Sequence, residues 1–96
     1  MEMFTFVRFH ASPGNHEAVA KAMLEVMEPT RREPGCLNIN AFCSTRDLNL
    51  HYFHARWTDD AAFDRHLALP HTVDFTSHVS SLVDRPIGVT RTHRIG

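Results

Sequence analysis

The chain predicts an α+β fold, an antiparallel sheet with its helices on one face. Three patterns lead there. Segments rich in Phe, Val and Thr flank a stretch with helical spacing; two strands of alternating character follow each other and end at Trp57; and a helical stretch broken by Pro70 precedes a last strand. In order this reads β-α-β-β-α-β, the ferredoxin-like split βαβ arrangement, as a single domain over residues 1–96.

The first strand is expected over Met3 to Phe9, closed by the turn Ser12-Pro13-Gly14. Asn15 is placed to cap the next helix, and Glu17 sits in its first turn, where the dipole favours an acid. Val19, Met23, Val26 or Met27, and Thr30 recur at helical spacing and give one apolar face. Pro29 should distort the last turn, and Pro34-Gly35 should end the element. Strand two is expected from about Cys36 to Cys43, with Leu37, Ile39 and Ala41 on the greasier face. After the turn Thr45-Arg46-Asp47, strand three is expected from about Leu48 to Trp57, with His51, Phe53, Ala55 and Trp57 on one face. Asp59 is a good N-cap for a helix through Ala62, Phe63, His66 and Leu67. Pro70 breaks that helix and opens another through Val73, Phe75, Val79 and Leu82. Pro86 leads into a final strand, Ile87 to about Arg94.

The totals exclude several function classes. A formal net charge of −1 gives no general electrostatic attraction for nucleic acid or an anionic membrane. No apolar run approaches the roughly 18 residues of a membrane span, and the start Met1-Glu2-Met3 lacks the basic segment of a secretory signal, so the expected location is the cytoplasm. Cys36 and Cys43 stand near opposite ends of one strand, and their odd spacing points them to opposite faces of a regular strand, so they are expected as unpaired thiols in a reducing compartment. The face of the sheet that carries Leu50, Tyr52 and Phe42 lacks a helical cover, which implies that two sheets pack face to face in a homodimer.

Eight histidines in 96 residues point to imidazole chemistry. Metal ligation finds no support in the spacing. His51 and His54 are three apart on a strand and face oppositely, and His66 and His71 are five apart across a proline rather than i, i+4 on one helical face. Arg31, Arg32 and Glu33 suggest an anion site, but a helix C-terminus repels anions, and a salt-bridged or solvated surface is expected instead.

With its residues placed in this way, the chain resembles the antibiotic biosynthesis monooxygenase family, including its small quinol monooxygenases. The shared features are Pro13-Gly14, Thr30-Arg31, Arg32-Glu33-Pro34-Gly35-Cys36-Leu37, Trp57-Thr58-Asp59-Asp60, Ala62-Phe63, His66, Pro70-His71 and Phe75. The resemblance covers about Phe4 to Leu82 and implies a protomer that forms a dimeric α/β barrel. It further implies cofactor-free oxygenation of a hydroquinone, naphthol or similar electron-rich aromatic by O2. No GxGxxG loop for a flavin or nicotinamide occurs in the sequence, so the substrate itself would supply the electrons. One departure stands out: where many members of the family carry a glutamate two residues before the strand-three tryptophan, this chain has Ala55. The haem-degrading branch uses an asparagine on strand one at the position of Phe6, so haem degradation is not expected.

On this reading His66 is the general base at the pocket edge, the alternative being a half-exposed helix histidine bonded to a carbonyl. His71 would orient a substrate oxygen or else pack at the helix break. Trp57 would stack on the substrate, with Phe6, Phe53, His51, Phe63 and Phe75 as the remaining wall, although aromatics at these spacings also serve simply as core. Two other readings use the same fold: isomerisation of a small carbonyl compound by a lone imidazole, and a ligand-binding dimer without catalysis, consistent with Ala55.

Overall fold

The structure, a computed structural model, describes residues 1–96. Strand β1 spans Met3–His10, helix α1 His16–Arg31, β2 Cys36–Cys43, β3 Leu50–Trp57, α2 Asp60–Ala68, α3 Pro70–Ser80 and β4 Gly88–Thr92. All neighbouring strands are antiparallel, in the order β2-β3-β1-β4. This is the ferredoxin-like arrangement predicted above, and no helix is long and apolar enough to cross a membrane.

The helices cover one face of the sheet. Thr5 and Phe9 of β1, Phe53, Ala55 and Trp57 of β3 and Ile39 of β2 point into that layer and are buried, where they meet Val19, Met23 and Met27 of α1, Phe63 of α2 and Val79 of α3. Two buried polar contacts tie this layer together: the Trp57 indole donates to Thr5 Oγ1 at 3.2 Å, and Thr30 Oγ1 donates back to the Val26 carbonyl at 2.8 Å.

Pro29 does not stop α1, which runs on to Arg31. The proline has no N–H to give, and near the C-terminus that loses only one helical bond. Asn15 occupies the N-cap position, but its side chain makes no capping bond; its carbonyl accepts from the Val19 N–H at 2.9 Å. Asp59 does cap α2, accepting from the Ala62 N–H at 2.8 Å. Leu69, extended at ψ 146°, separates α2 from α3, because a residue before proline is pushed out of helical backbone. Pro70 then opens α3 at its first turn, where its missing donor costs nothing.

Three strand expectations are corrected. Strand β3 starts at Leu50 rather than Leu48, and β4 ends at Thr92. In β2 the register shifts between Cys36 and Asn38, so Cys36 pairs with Trp57 while Asn38 pairs with Arg56. This bulge puts Leu37 out at 41% exposure and brings Cys36 and Cys43 onto the same sheet face, opposite Trp57 and His51. Both thiols are free; Cys36 is half-buried and Cys43 is exposed. On α3, Thr72 takes the buried position in the first turn and Val73 is exposed.

Candidate active site

An apolar cavity of about 200 Å³ lies between the sheet and the α2–α3 pair. Phe53, Ala55 and Trp57 of β3 form its floor with Thr5 and Val7 of β1, and Phe63, His66 and Phe75 form its helical side. The rings are fixed by one another. Phe53 lies 5.8 Å from Phe75 between centroids, Trp57 lies 5.4 Å from Phe63, and Arg91 sits 4.8 Å over the outer face of Phe63. Arg91 also bonds Asp64 at 2.8 Å, which joins β4 to α2 beside the cavity.

His66 is the only ionisable side chain in this lining. Its ring packs 4.7 Å from Trp57 and stacks at 5.6 Å on Phe63. Its Nδ1 stands 2.8 Å from Glu33 Oε2 and 3.2 Å from Thr72 Oγ1. The same Glu33 oxygen lies 2.7 Å from His71 Nε2. A carboxylate only accepts, so both imidazoles donate to it. For neutral His66 this fixes the Nδ1–H tautomer and leaves the Nε2 lone pair for the cavity that the ring lines.

Three separate elements supply this cluster. Glu33 lies in the turn after α1, where its N–H donates to the Thr30 carbonyl at 3.1 Å and its carbonyl accepts from the Cys36 N–H at 3.0 Å. The Gly35 carbonyl accepts from the Thr58 N–H at 3.0 Å and pins that turn to the entry of α2. His66 sits in the last turn of α2, and His71 follows Pro70 in the first turn of α3. The extended Leu69 re-aims the chain between them so that both rings reach one carboxylate.

Burial dominates the electrostatics of His66 and pushes its pKa below the ordinary imidazole value; the Glu33 hydrogen bond and charge oppose that shift without reversing it. His66 is therefore neutral at pH 7, as a base must be, and Glu33 stands ready to stabilise the imidazolium once a proton arrives. Cys36 is pushed up by burial and then by the Glu33 charge, so it stays a thiol and is no nucleophile.

Of the residues expected at a site, His66, Trp57, Phe53, Phe63 and Phe75 line this one cavity. His71 is held to it through Glu33 and opens instead on a polar groove between α1 and α3. Phe6 is a correction: β1 alternates, so while Thr5 faces the cavity, Phe6 lies on the opposite sheet face, 47% exposed and packed 4.8 Å from His54. His51 is also corrected. It shares the face of Phe53 but lies beyond the cavity, buried between the register positions of Phe9 and Cys43, with Nδ1 unpartnered. Glu33 is the residue the sequence reading missed: it was expected at a solvated surface, and its side chain is 9% exposed. Arg32 does take the expected role, in an exposed pair with Glu28 at 2.8 Å. The cluster also brings together two histidines whose spacing gave no expectation of a shared site. Across the break, His66 and His71 do converge, and Glu33 Oε2, His66 Nδ1 and His71 Nε2 all lie within 4.8 Å of one another.

Residues 3–77 match the sequence profile of the antibiotic biosynthesis monooxygenase family. Rv0793 of Mycobacterium tuberculosis, whose name assigns it provisionally to the monooxygenases, is 30% identical over 83 residues, which span 86% of this chain and 81% of that protein. The solved structure of Rv0793 superposes with a TM-score of 0.93 at 24% identity, over 100% of this chain and 97% of the other. PA3566 of Pseudomonas aeruginosa superposes with a TM-score of 0.90 at 26% identity, over 99% and 95% of the two chains.

Proposed function

The chain belongs to the antibiotic biosynthesis monooxygenase family, and from that premise we propose that it oxidises a small hydroxylated aromatic or quinol with O2, using His66 as general base and drawing the electrons from the substrate. The observation that carries this reading is an imidazole, bonded to a carboxylate, at the wall of an otherwise apolar aromatic cavity.

The roles follow from the geometry. His66 Nε2 takes the phenolic proton, and Glu33 stabilises the imidazolium so formed. The phenolate is a far stronger one-electron donor than the phenol. It reduces O2 to superoxide, and the two radicals combine at a ring carbon to give a peroxide. Loss of that carbon's proton and cleavage of the O–O bond release water and leave a quinone. The sum for a phenol is ArH–OH + O2 → quinone + H2O, which balances without an external reductant. The dry lining of Trp57, Phe53, Phe63 and Phe75 holds the radical pair together and excludes competing proton donors. His71 acts through Glu33 and orients it.

The volume limits the substrate. An apolar cavity of about 150 Å³ takes a benzene-sized guest, so about 200 Å³ suits one substituted ring or a compact bicycle and not an extended polycycle. Ala55 contributes to that room, because a longer side chain there would project into the cavity. We also propose that the protein acts as a homodimer through the bare sheet face, and that it works in the cytoplasm, where free Cys36 and Cys43 remain reduced.

The test is oxygen uptake by the purified, chelator-treated protein with a panel of hydroquinones and naphthols, measured against uncatalysed autoxidation. Protein-dependent uptake should fall by about 10²- to 10⁴-fold in His66→Ala. Turnover that persists without oxygen would favour the isomerase instead, and saturable binding without product would favour a binding protein.

A further inference from the structure

We infer that Glu33, His66 and His71 form a binding site for one divalent transition-metal ion, and that the ion holds the protein in a state with no free base at the cavity. Two imidazole nitrogens and one carboxylate oxygen are a donor set that suits zinc and its first-row neighbours rather than Mg2+ or Ca2+. The three atoms lie within 4.8 Å of one another, and two sides of the triangle measure 2.8 and 2.7 Å. Ligands about 2.1 Å from a metal at near-tetrahedral angles stand roughly 3.4 Å apart, so the short sides need to open by about 0.6–0.7 Å. Small side-chain rotations supply this, because the three ligands come from the α1–β2 turn, α2 and α3. The site is partly buried, and it has an entry path: the groove of about 320 Å³ on which His71 opens is also lined by His78 and by Glu25 and Asp74, whose carboxylates draw cations.

Proton placement gives the consequence. A metal binds the lone pair of a neutral imidazole, so the protons must leave His66 Nδ1 and His71 Nε2. Each ring regains a proton from solvent on its other nitrogen, and the charge of the rings is unchanged. His66 Nε2 then carries a hydrogen and faces the cavity as a donor instead of an acceptor. Bound metal and general base are mutually exclusive uses of one ring. That exclusion rests on the role proposed for His66; the binding itself does not.

Calorimetric titration of the chelator-treated full chain with Zn2+ tests the site directly. One tight ion per chain is expected, with affinity lowered about a hundredfold or more in both His71→Ala and Glu33→Gln, and unchanged in His93→Ala, which alters an exposed histidine elsewhere. Co2+ should give visible ligand-field bands in the wild type that both site variants lose. Affinity equal in the wild type and His71→Ala, or no tight ion at all, overturns the inference. Should the variants fail to fold, the anomalous zinc signal in wild-type crystals decides: a peak among Glu33, His66 and His71 supports the site, and a peak elsewhere overturns it. Zinc binding with no oxygen uptake under any condition would defeat the proposed oxygenase and leave the metal site standing.

Discussion

One oxygen of Glu33 accepts from two imidazoles, and on His66 it opposes the burial that weakens the ring as a base. Burial lowers the His66 pKa and Glu33 raises it, so removing the Glu33 charge must lower it further. Glu33→Gln is therefore expected to cut the rate by about 10²-fold and to move the acid limb of the pH–rate profile to lower pH, whereas a merely structural loss would leave that limb in place. The folded value of His66 already lies below the ordinary 6.5, so the unfolded chain binds its proton first as pH falls. The His66 contribution to stability is fully present above 6.5 and is lost as pH falls through the folded value. Denaturant titrations at stepped pH should show the wild type losing stability relative to His66→Asn across that window; parallel curves would count against a buried neutral imidazole. Glu33 itself was hard to read from sequence. An acid after two arginines at a helix end looks like surface, and only the return of α2 and α3 over that turn buries it. His66 was legible because Phe63, Leu67 and Pro70 already marked its helix as lying against the core.

The cluster depends on how closely the α1–β2 turn approaches α2, and Gly35 sets that approach. A Cβ on Gly35 would collide with the Ala62 Cβ and crowd Thr58 Oγ1. Gly35→Ala should therefore push α2 outward, cost about 1–3 kcal/mol as an overpacked contact, and lower activity by separating Glu33 from His66. Ala62→Gly weakens α2 by about 1 kcal/mol on its own, yet in the Gly35→Ala background it should restore part of both stability and activity. Thermal denaturation and oxygen uptake across this double-mutant cycle check the coupling, and strict additivity would show that the two residues do not meet. Caps and breaks of this kind were legible in advance: Asp59 and Pro70 do what their chemistry dictates. The bulge at Leu37 was not, because a period-two reading assumes a regular strand and a single extra residue inverts everything before it.

At the scale of the whole molecule, the helices cover one sheet face and leave the other bare. Phe6 and Phe42 stand 47% and 52% exposed there, and His54 packs against Phe6 at 4.8 Å and against Phe4 at 6.1 Å. This bare face was expected from the alternation of β2 and β3, which put Phe42, Leu50 and Tyr52 on it, so the expectation of a second copy was a sequence-level one; the alternation of β1, which adds Phe6, formed no part of that expectation. Its energetics can be bounded. Burying a phenylalanine side chain fully is worth about 1.5–3 kcal/mol, and burying the exposed half of Phe6 is worth about half of that. A twofold interface contains each residue twice, so Phe6→Asp should cost the dimer about 1.5–3 kcal/mol before the desolvation of the new charge is counted. At 1.4 kcal/mol per decade, that raises the dissociation constant by roughly one to two decades. Sedimentation across a dilution series should show the wild type as a dimer and Phe6→Asp with Phe42→Asp as a monomer at the same concentrations. Neither side chain lines the cavity, so the Glu33–His66 contact stays intact in that variant. Because association stabilises the fold by mass action, the wild-type Tm should rise with protein concentration while that of the double variant stays flat; a wild type that sediments as a monomer with a concentration-independent Tm would overturn the dimer.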